Sequence, residues 1–148
     1  MSASTLYPFI WKIRRVFQQL RNISDEMLAE QGINPSQRAV LEVLSGDERF
    51  SVPQIAKQLT VTRQHIQVLV NELLAKELVN SAENPFHKSS PLISITAKGK
   101  KLFAAISESE RGLLNAMQPS FSNADIAISL STLETLEKLL ETREWENK

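Results

Sequence analysis

The pattern of capping and turn residues in positions 51–99 restricts the possible folds more than any other feature of this chain. Ser51, followed three residues later by Gln54, has the spacing of a capping box, in which two side chains satisfy free amides at a helix start. A short helix with Ile55, Ala56 and Leu59 on one face is predicted to follow. After a turn at Val61, Thr62 is a natural N-cap for a second helix. The segment therefore predicts two short helices joined by a tight turn.

The second of these helices has two chemically different faces. Its apolar residues recur with the spacing of a buried stripe: Ile66, Leu69, Val70, Leu73 and Leu74. The opposite face has long polar side chains, where a solvated helix more often has Glu and Lys: Arg63, Gln64, Gln67 and Asn71. This polar face is therefore predicted to contact a partner molecule.

The sequence changes to strand character after the second helix. Segments 78–83 and 92–96 are rich in β-branched residues, and the two prolines of segment 84–91 indicate a hairpin loop between them. Thr96 then caps a further helix. A helix-turn-helix followed by a β-hairpin is a winged helix, so the predicted fold class is mainly α with a small two-stranded wing.

Composition narrows the function classes. A length of 148 residues favours a single domain. No apolar run approaches the roughly 18 residues of a membrane span, and no signal peptide is apparent, so the expected location is the cytoplasm. The absence of cysteine excludes disulfides, thiolate metal sites and a thiol switch. Two histidines far apart in sequence predict no metal site, and we expect no cofactor.

The net charge is zero, but the charges are unevenly distributed. Residues 57–103 contain seven Lys or Arg and three Asp or Glu, whereas residues 104–148 contain four and eight. The basic segment coincides with the predicted helix-turn-helix and wing, which favours a face directed toward phosphates. Chance fluctuation is the alternative explanation.

Three long helices are predicted outside the compact winged module. The first covers 6–30, ends at Gly32 and is followed by a helix from Pro35. The other two run from Ala97 to a break at Pro119, and from Asn123 onward. The first and last helices have strong apolar stripes that a monomer of this size could not cover. We therefore expect a two-fold dimer that presents two recognition helices to palindromic double-stranded DNA.

The ordered set of these segments resembles the MarR family of bacterial winged-helix regulators. The segments are IAKQLTVTR at 55–63, VNELLAKELV at 70–79, Asn84-Pro85 in the wing, and ITAKG at 95–99. The resemblance implies one MarR-type domain over 1–148, with the DNA-binding part at 35–99 and dimerisation helices at 1–32 and 100–148. It also implies a homodimeric repressor released by a small aromatic or phenolic ligand.

The chain departs from the family pattern at two places. Many members have an Asp and two Arg in the wing, where this chain has Phe86, His87, Lys88, Ser89 and Ser90. Lys88 must then supply the cation at the wing tip. Many members also have Arg at the position of Val68, and valine cannot make the contact of that Arg.

We assign the DNA contacts residue by residue. Gln64, His65 and Gln67 are the predicted base readers, because the first turns of a recognition helix reach base edges and Gln can pair with adenine. The predicted phosphate and wing contacts are Thr62, Arg63, Lys88 and Lys57. A solvated helix face is the alternative for the helix residues. Lys98, Lys100 and Lys101 are either phosphate contacts or a charged rim.

The remaining assignments concern ligands and catalysis. Trp11, Arg15 and Phe17 are candidate effector-lining residues, with packing of the aromatic rings and solvation of Arg15 as the alternative. We expect no enzyme, because the sequence has neither a Gly-rich phosphate loop nor a Gly-x-Ser-x-Gly turn. The leading hypothesis is a dimeric, sequence-specific transcriptional regulator, and the alternative is a winged-helix module for protein–protein contact.

Overall fold

The computed structural model describes residues 4–147 and is mainly helical with a small antiparallel sheet. In chain order its elements are α1 (Leu6–Glu30), α2 (Pro35–Leu44), β1 (Phe50–Ser51), α3 (Val52–Leu59), α4 (Arg63–Ala75), β2 (Val79–Ala82), β3 (Leu92–Ile95), α5 (Ala97–Met117) and α6 (Asn123–Thr142). Short 3₁₀ turns follow α5 at Gln118–Ser120 and α6 at Glu144–Asn147. The predicted winged helix-turn-helix is therefore confirmed.

Local capping chemistry determines where most helices begin. The Ser51 amide donates to Gln54 Oε1 at 2.8 Å at the start of α3. The Gly99 amide donates to Thr96 Oγ1 at 2.9 Å at the start of α5. α1 ends at Glu30, and Gly32 in the turn that follows has a φ of +76°, a conformation that glycine adopts without steric cost. The hydrogen bonds at the starts of α3 and α5 satisfy amides that a helix start leaves without an intrahelical partner.

The turn between α3 and α4 contains a feature that the sequence did not predict. Thr60 adopts a left-handed conformation with φ +56°, which is rare for a β-branched residue. The Val61 amide, which follows Thr60, donates to the carbonyl of Ala56 at 3.1 Å, and the conformation of Thr60 thereby closes the turn after α3. Thr60 therefore takes a position that glycine more commonly occupies.

The sheet has three strands rather than the predicted two. β1 is only two residues long and pairs with β3 at Phe50–Ile93 and Ser51–Leu92. β2 pairs with the other edge of β3, from Val79–Ile95 to Ala82–Leu92. The prediction missed β1 because its partner lies about forty positions away, and two residues have no detectable periodicity.

The chain divides into two compact units, 1–109 and 110–148. In the first unit the predicted stripe of α4 is buried or half-buried and packs against α2, α3 and the sheet. α6, in the second unit, buries none of its residues. Its exposed apolar residues include Ile128 (67%), Leu130 (53%) and Leu140 (59%). Across the described residues, no helix is long and apolar enough to cross a membrane.

Candidate nucleic-acid interface

The first turns of α4 form an exposed polar surface on a well-capped helix. Thr62 Oγ1 accepts a hydrogen bond from the His65 amide at 3.1 Å, which confirms the predicted N-cap. Gln64, His65 and Gln67 are exposed, and Gln67 Nε2 donates to Asn71 Oδ1 at 2.9 Å one turn later. The helix therefore holds its predicted base readers outward while Ile66, Leu69 and Val70 are buried on its other side.

A cleft of about 730 Å³ lies between the start of α4 and the wing. Arg63 and Arg49 line it together with Phe86 and His87 of the wing loop, and the lining includes no Asp or Glu. Arg49 was not among the residues predicted from sequence. It immediately precedes β1, so without that strand nothing indicated that it would be near Arg63. The cleft is a positively charged recess suited to a phosphate.

The wing loop is held in shape by one buried side chain. Asn84 is only 7% exposed, its Nδ2 donates to the carbonyl of Ser90 at 2.9 Å, and its Oδ1 accepts from the Phe86 amide at 3.0 Å. Lys88 is exposed and lines a separate recess together with Glu83, Asn84 and Pro85. The structure thus places Lys88 on the wing as predicted, but not in the cleft with Arg63.

The other predicted basic contacts fall into two groups. Lys57 is exposed in the last turn of α3, where a cation is favoured by the helix dipole. Lys100 Nζ donates to Asp47 Oδ1 at 2.8 Å, and this hydrogen bond, together with the lysine charge, holds the pKa of Asp47 below its ordinary value of 3.8. Lys98 Nζ donates to the carbonyl of Lys76 at 3.0 Å. Lys98 and Lys100 therefore have intramolecular partners, which favours the rim alternative for these two residues.

The C-terminal end of α4 is fastened to α2 and to the turn between α1 and α2. Buried Gln37 donates from Nε2 to Glu72 Oε2 at 2.7 Å. Lys76 Nζ donates to the carbonyl of Gly32 at 2.6 Å and to Gln37 Oε1 at 3.3 Å. The far end of the recognition helix is thus joined to α2 and to the turn that precedes it by side-chain hydrogen bonds.

The candidate effector residues lie on α1 and are exposed. The Trp11 ring has the Tyr7 ring edge-on at 6.2 Å and the Arg14 guanidinium 5.6 Å from its centroid. Arg15 follows Trp11 by one turn on the same face, whereas Phe17 follows it by about 1.7 turns and points elsewhere. Helical spacing therefore places Trp11 and Arg15 on one face of α1 and Phe17 on another, and the residues that contact the Trp11 ring are Tyr7 and Arg14.

A second recess, of about 510 Å³, is lined by none of those three residues. Its floor includes the buried side chains of Ile33 and Leu78, and Lys76, Lys98 and Lys101 also line it. An apolar floor combined with three ammonium groups suits an apolar ligand that bears a negative charge. Within residues 4–147 no group of three or more potential metal ligands is found.

Comparison with known sequences and structures gives consistent results. Residues 31–88 match the family model described as the MarR family. Over 89 residues the chain is 36% identical to an uncharacterized protein of Mycobacterium tuberculosis, covering 60% of this chain and 62% of that relative. The chain thus spans less than two thirds of the length of this relative.

Solved structures establish the shared fold. A crystal structure of a MarR family transcription regulator superposes with a TM-score of 0.86 at 23% identity, covering 93% of this chain and 91% of the other. A mutant MarR from Escherichia coli complexed with operator DNA superposes with a TM-score of 0.75 at 19% identity, covering 88% and 94%. At these identities the agreement concerns the arrangement of helices and strands.

Proposed function

We propose that this chain is a member of the MarR family and a dimeric transcriptional regulator that binds double-stranded DNA sequence-specifically and represses until a small ligand releases it. α4 enters the major groove, with Gln64, His65 and Gln67 on base edges, and Thr62, Arg63 and Lys57 contact phosphates. Lys88 contacts the minor groove or its phosphates from the wing. Members of the family are regulators rather than enzymes, and such a role requires access to DNA in the cytoplasm.

One observation supports this proposal most strongly. The exposed side-chain amides of Gln64 and Gln67 on α4 are next to a cleft that is lined by two arginines and by no acidic side chain. The net charge of the whole chain, by contrast, is zero. Charge of one sign next to hydrogen-bonding side chains is what a duplex requires, since phosphates supply affinity and base edges supply sequence preference. A related fold has been solved with operator DNA, which is consistent with this use.

The test is the selection of preferred duplexes from a random library, followed by binding measurements at two salt concentrations. We expect a palindromic site with half-sites about one helical turn apart, and an affinity that falls steeply as salt rises. The Gln64→Ala/Gln67→Ala double variant should keep much of its affinity for unrelated duplexes and lose preference for the selected site. Lys88→Ala should weaken all duplexes by a similar factor.

A matched control exists on α1, where Gln18 Nε2 donates to Asn22 Oδ1 at 2.9 Å, the same amide pair as Gln67 and Asn71. Gln18→Ala removes such a pair away from α4 and should leave the sequence preference unchanged. Unaltered selectivity in the Gln64/Gln67 double variant would reject these base readers. Failure to bind any duplex, at either salt concentration, would instead favour the protein–protein module.

The homodimer is supported by apolar faces that one chain leaves uncovered. On α1 the exposed fractions are 67% at Tyr7, 63% at Phe17 and 50% at Leu20, and α6 buries none of its residues. Burying such side chains in a partner contributes roughly 1.5–3 kcal/mol each. Sedimentation equilibrium should therefore give twice the chain mass of 16.7 kDa. A single species of monomer mass at micromolar concentration would contradict the dimer.

The effector part of the proposal concerns a small aromatic or phenolic ligand. Two places are candidates: the face of α1 with Trp11 and Arg15, with Phe17 on another face of the same helix, and the lysine-lined recess at Ile33 and Leu78. The chain has two tryptophans, so Trp145→Phe leaves Trp11 as the only tryptophan reporter. Titration with benzoate and phenol should release bound DNA, and a change in Trp11 emission would locate the ligand on α1. Release without that change would favour the recess, which Lys101→Ala would then impair.

A further inference from the structure

Phe86 is the most exposed of the large apolar side chains that the structure describes. It is 87% exposed at the tip of the wing, and the next highest value in that group is 67%. Single exposed apolar residues are common on protein surfaces and require no explanation by themselves. The conformation and surroundings of Phe86 distinguish it from such residues.

The hydrogen bonds of the wing loop fix the backbone at Phe86. Its backbone amide donates to Asn84 Oδ1 at 3.0 Å, and the other end of that amide side chain fastens the loop at Ser90. A further bond, from the Ser90 amide to the carbonyl of His87 at 3.1 Å, closes the tip. Because Asn84 is buried, the loop is anchored in the protein while the ring projects into solvent. An aromatic ring on an anchored tip loses little conformational freedom when it inserts into a partner.

The chemistry around Phe86 specifies the partner. Phe86 lines the same cleft as Arg49 and Arg63, and the exposed side chains of His87 and Lys88 follow it in the loop. A ring surrounded by positively charged or protonatable groups would be unsuited to a purely apolar protein surface. The same ring is well placed for a polyanion that offers apolar surface between its charges. Stacked base pairs flanked by phosphates have that combination.

We propose that Phe86 acts as a wedge that inserts between two adjacent base pairs from the minor groove beside each half-site, and that it bends the duplex there. This inference rests on the proposed DNA-binding function and adds a contact that Lys88 alone does not provide. Apolar side chains that enter the minor groove partly unstack a base step and kink the duplex toward the major groove. Pyrimidine–purine steps unstack most readily, so the wedge selects such a step without any hydrogen bond to its bases.

The test uses duplexes selected with the wild-type protein, labelled with a dye at each end so that energy transfer reports the bend. A second set has 2-aminopurine in the step beneath the wing, since its fluorescence rises on unstacking. Phe86→Ala should abolish most of the bend and the fluorescence rise, and should weaken binding roughly tenfold. Phe86→Leu, which keeps an apolar wedge, should retain a substantial part of both signals.

Two controls separate the wedge from general effects on the wing. Ser81→Ala changes an exposed residue of β2, outside the cleft with Arg49 and Arg63, and should leave bend and affinity intact. Lys88→Ala should weaken binding and reduce its salt dependence while leaving the bend unchanged. A straight duplex in the wild-type complex, or an equal bend with Phe86→Ala, would overturn the wedge and leave DNA binding standing. If the wild-type protein binds no duplex, both the wedge and the proposed function are rejected.

Discussion

Gln37 Nε2 lies 2.7 Å from Glu72 Oε2, and this contact joins two helices that are 35 positions apart in sequence. Gln37 is 3% exposed, and its Oε1 also accepts from the Asn34 amide at the start of α2. A single buried amide therefore completes the cap of α2 and holds the recognition helix α4 against it. The carboxylate makes the bond charge-assisted, which strengthens it relative to a neutral pair.

Removing the acceptor should destabilise the protein more than replacing it. Glu72→Ala leaves the buried Gln37 amide without its partner, and we expect a loss of about 1–3 kcal/mol in the free energy of unfolding. Glu72→Gln keeps an oxygen acceptor at the same reach and should lose less than half of that. Urea unfolding of the two variants measures the difference. Equal stabilities for both variants and the wild type would show that the contact contributes nothing.

Two glycines in α5 should respond to alanine with opposite signs. A Cβ at Gly99 would overlap the backbone carbonyl oxygen of Leu78 and lie 2.7 Å from Ile95 Cγ1, so Gly99→Ala should cost about 1–3 kcal/mol. Gly112, in the same helix, has nothing within 4 Å of that position. Gly112→Ala should raise the free energy of unfolding by about 0.5–1 kcal/mol, as expected for a helix interior. Thermal unfolding of both variants tests the pair, and a loss of stability from both would refute the close-approach explanation.

The anchored wing should loosen when its buried amide is removed. Asn84→Ala deletes the acceptor of the Phe86 amide and the donor to the Ser90 carbonyl. We expect faster hydrogen exchange at the Phe86 amide and a loss of roughly 1 kcal/mol in global stability. Ser89→Ala is the control from the same loop. Unchanged exchange at Phe86 would mean that another interaction orders the tip.

The pair formed by Asp47 and Lys100 should make a small, pH-dependent contribution to stability. Lys100 lowers the pKa of Asp47 below 3.8 in the folded protein. The contribution is therefore present above pH 3.8 and is lost as the pH falls through the lowered folded value. It is small because the carboxylate is exposed and screened by salt. Side-chain NMR of Asp47 against pH, in wild type and Lys100→Gln, should show the midpoint rising in the variant; coincident midpoints would contradict the assignment.

Features that depend on a few neighbouring residues could be predicted from the sequence. The caps at Ser51, Thr62 and Thr96 lie within three residues of the groups they satisfy, so their spacing alone locates α3, α4 and α5. The buried stripe of α4 follows equally from helical periodicity. Local hydrogen bonding and amphipathic spacing thus specified most of the winged module.

Features that depend on distant residues could not be predicted in this way. β1 exists because Phe50 and Ser51 pair with β3, and Arg49 reaches the cleft only because β1 forms. The bond from Gln37 to Glu72 likewise joins separate helices. The left-handed Thr60 was missed for a different reason, since its β-branched side chain argues against the conformation that the turn requires. The DNA contacts and the effector-lining role of Trp11, Arg15 and Phe17 stay predictions.

β1 has a mechanical consequence for how the protein would sit on a duplex. The strand continues directly into α3 and pairs with β3, so main-chain hydrogen bonds connect the base of the wing to the start of the helix-turn-helix. The wing tip and the start of α4 would then keep a constant separation when the protein binds DNA. Any mismatch between that separation and the local groove width must be accommodated by deformation of the nucleic acid. Stiff and pliable sequences would therefore be told apart at positions that no side chain touches.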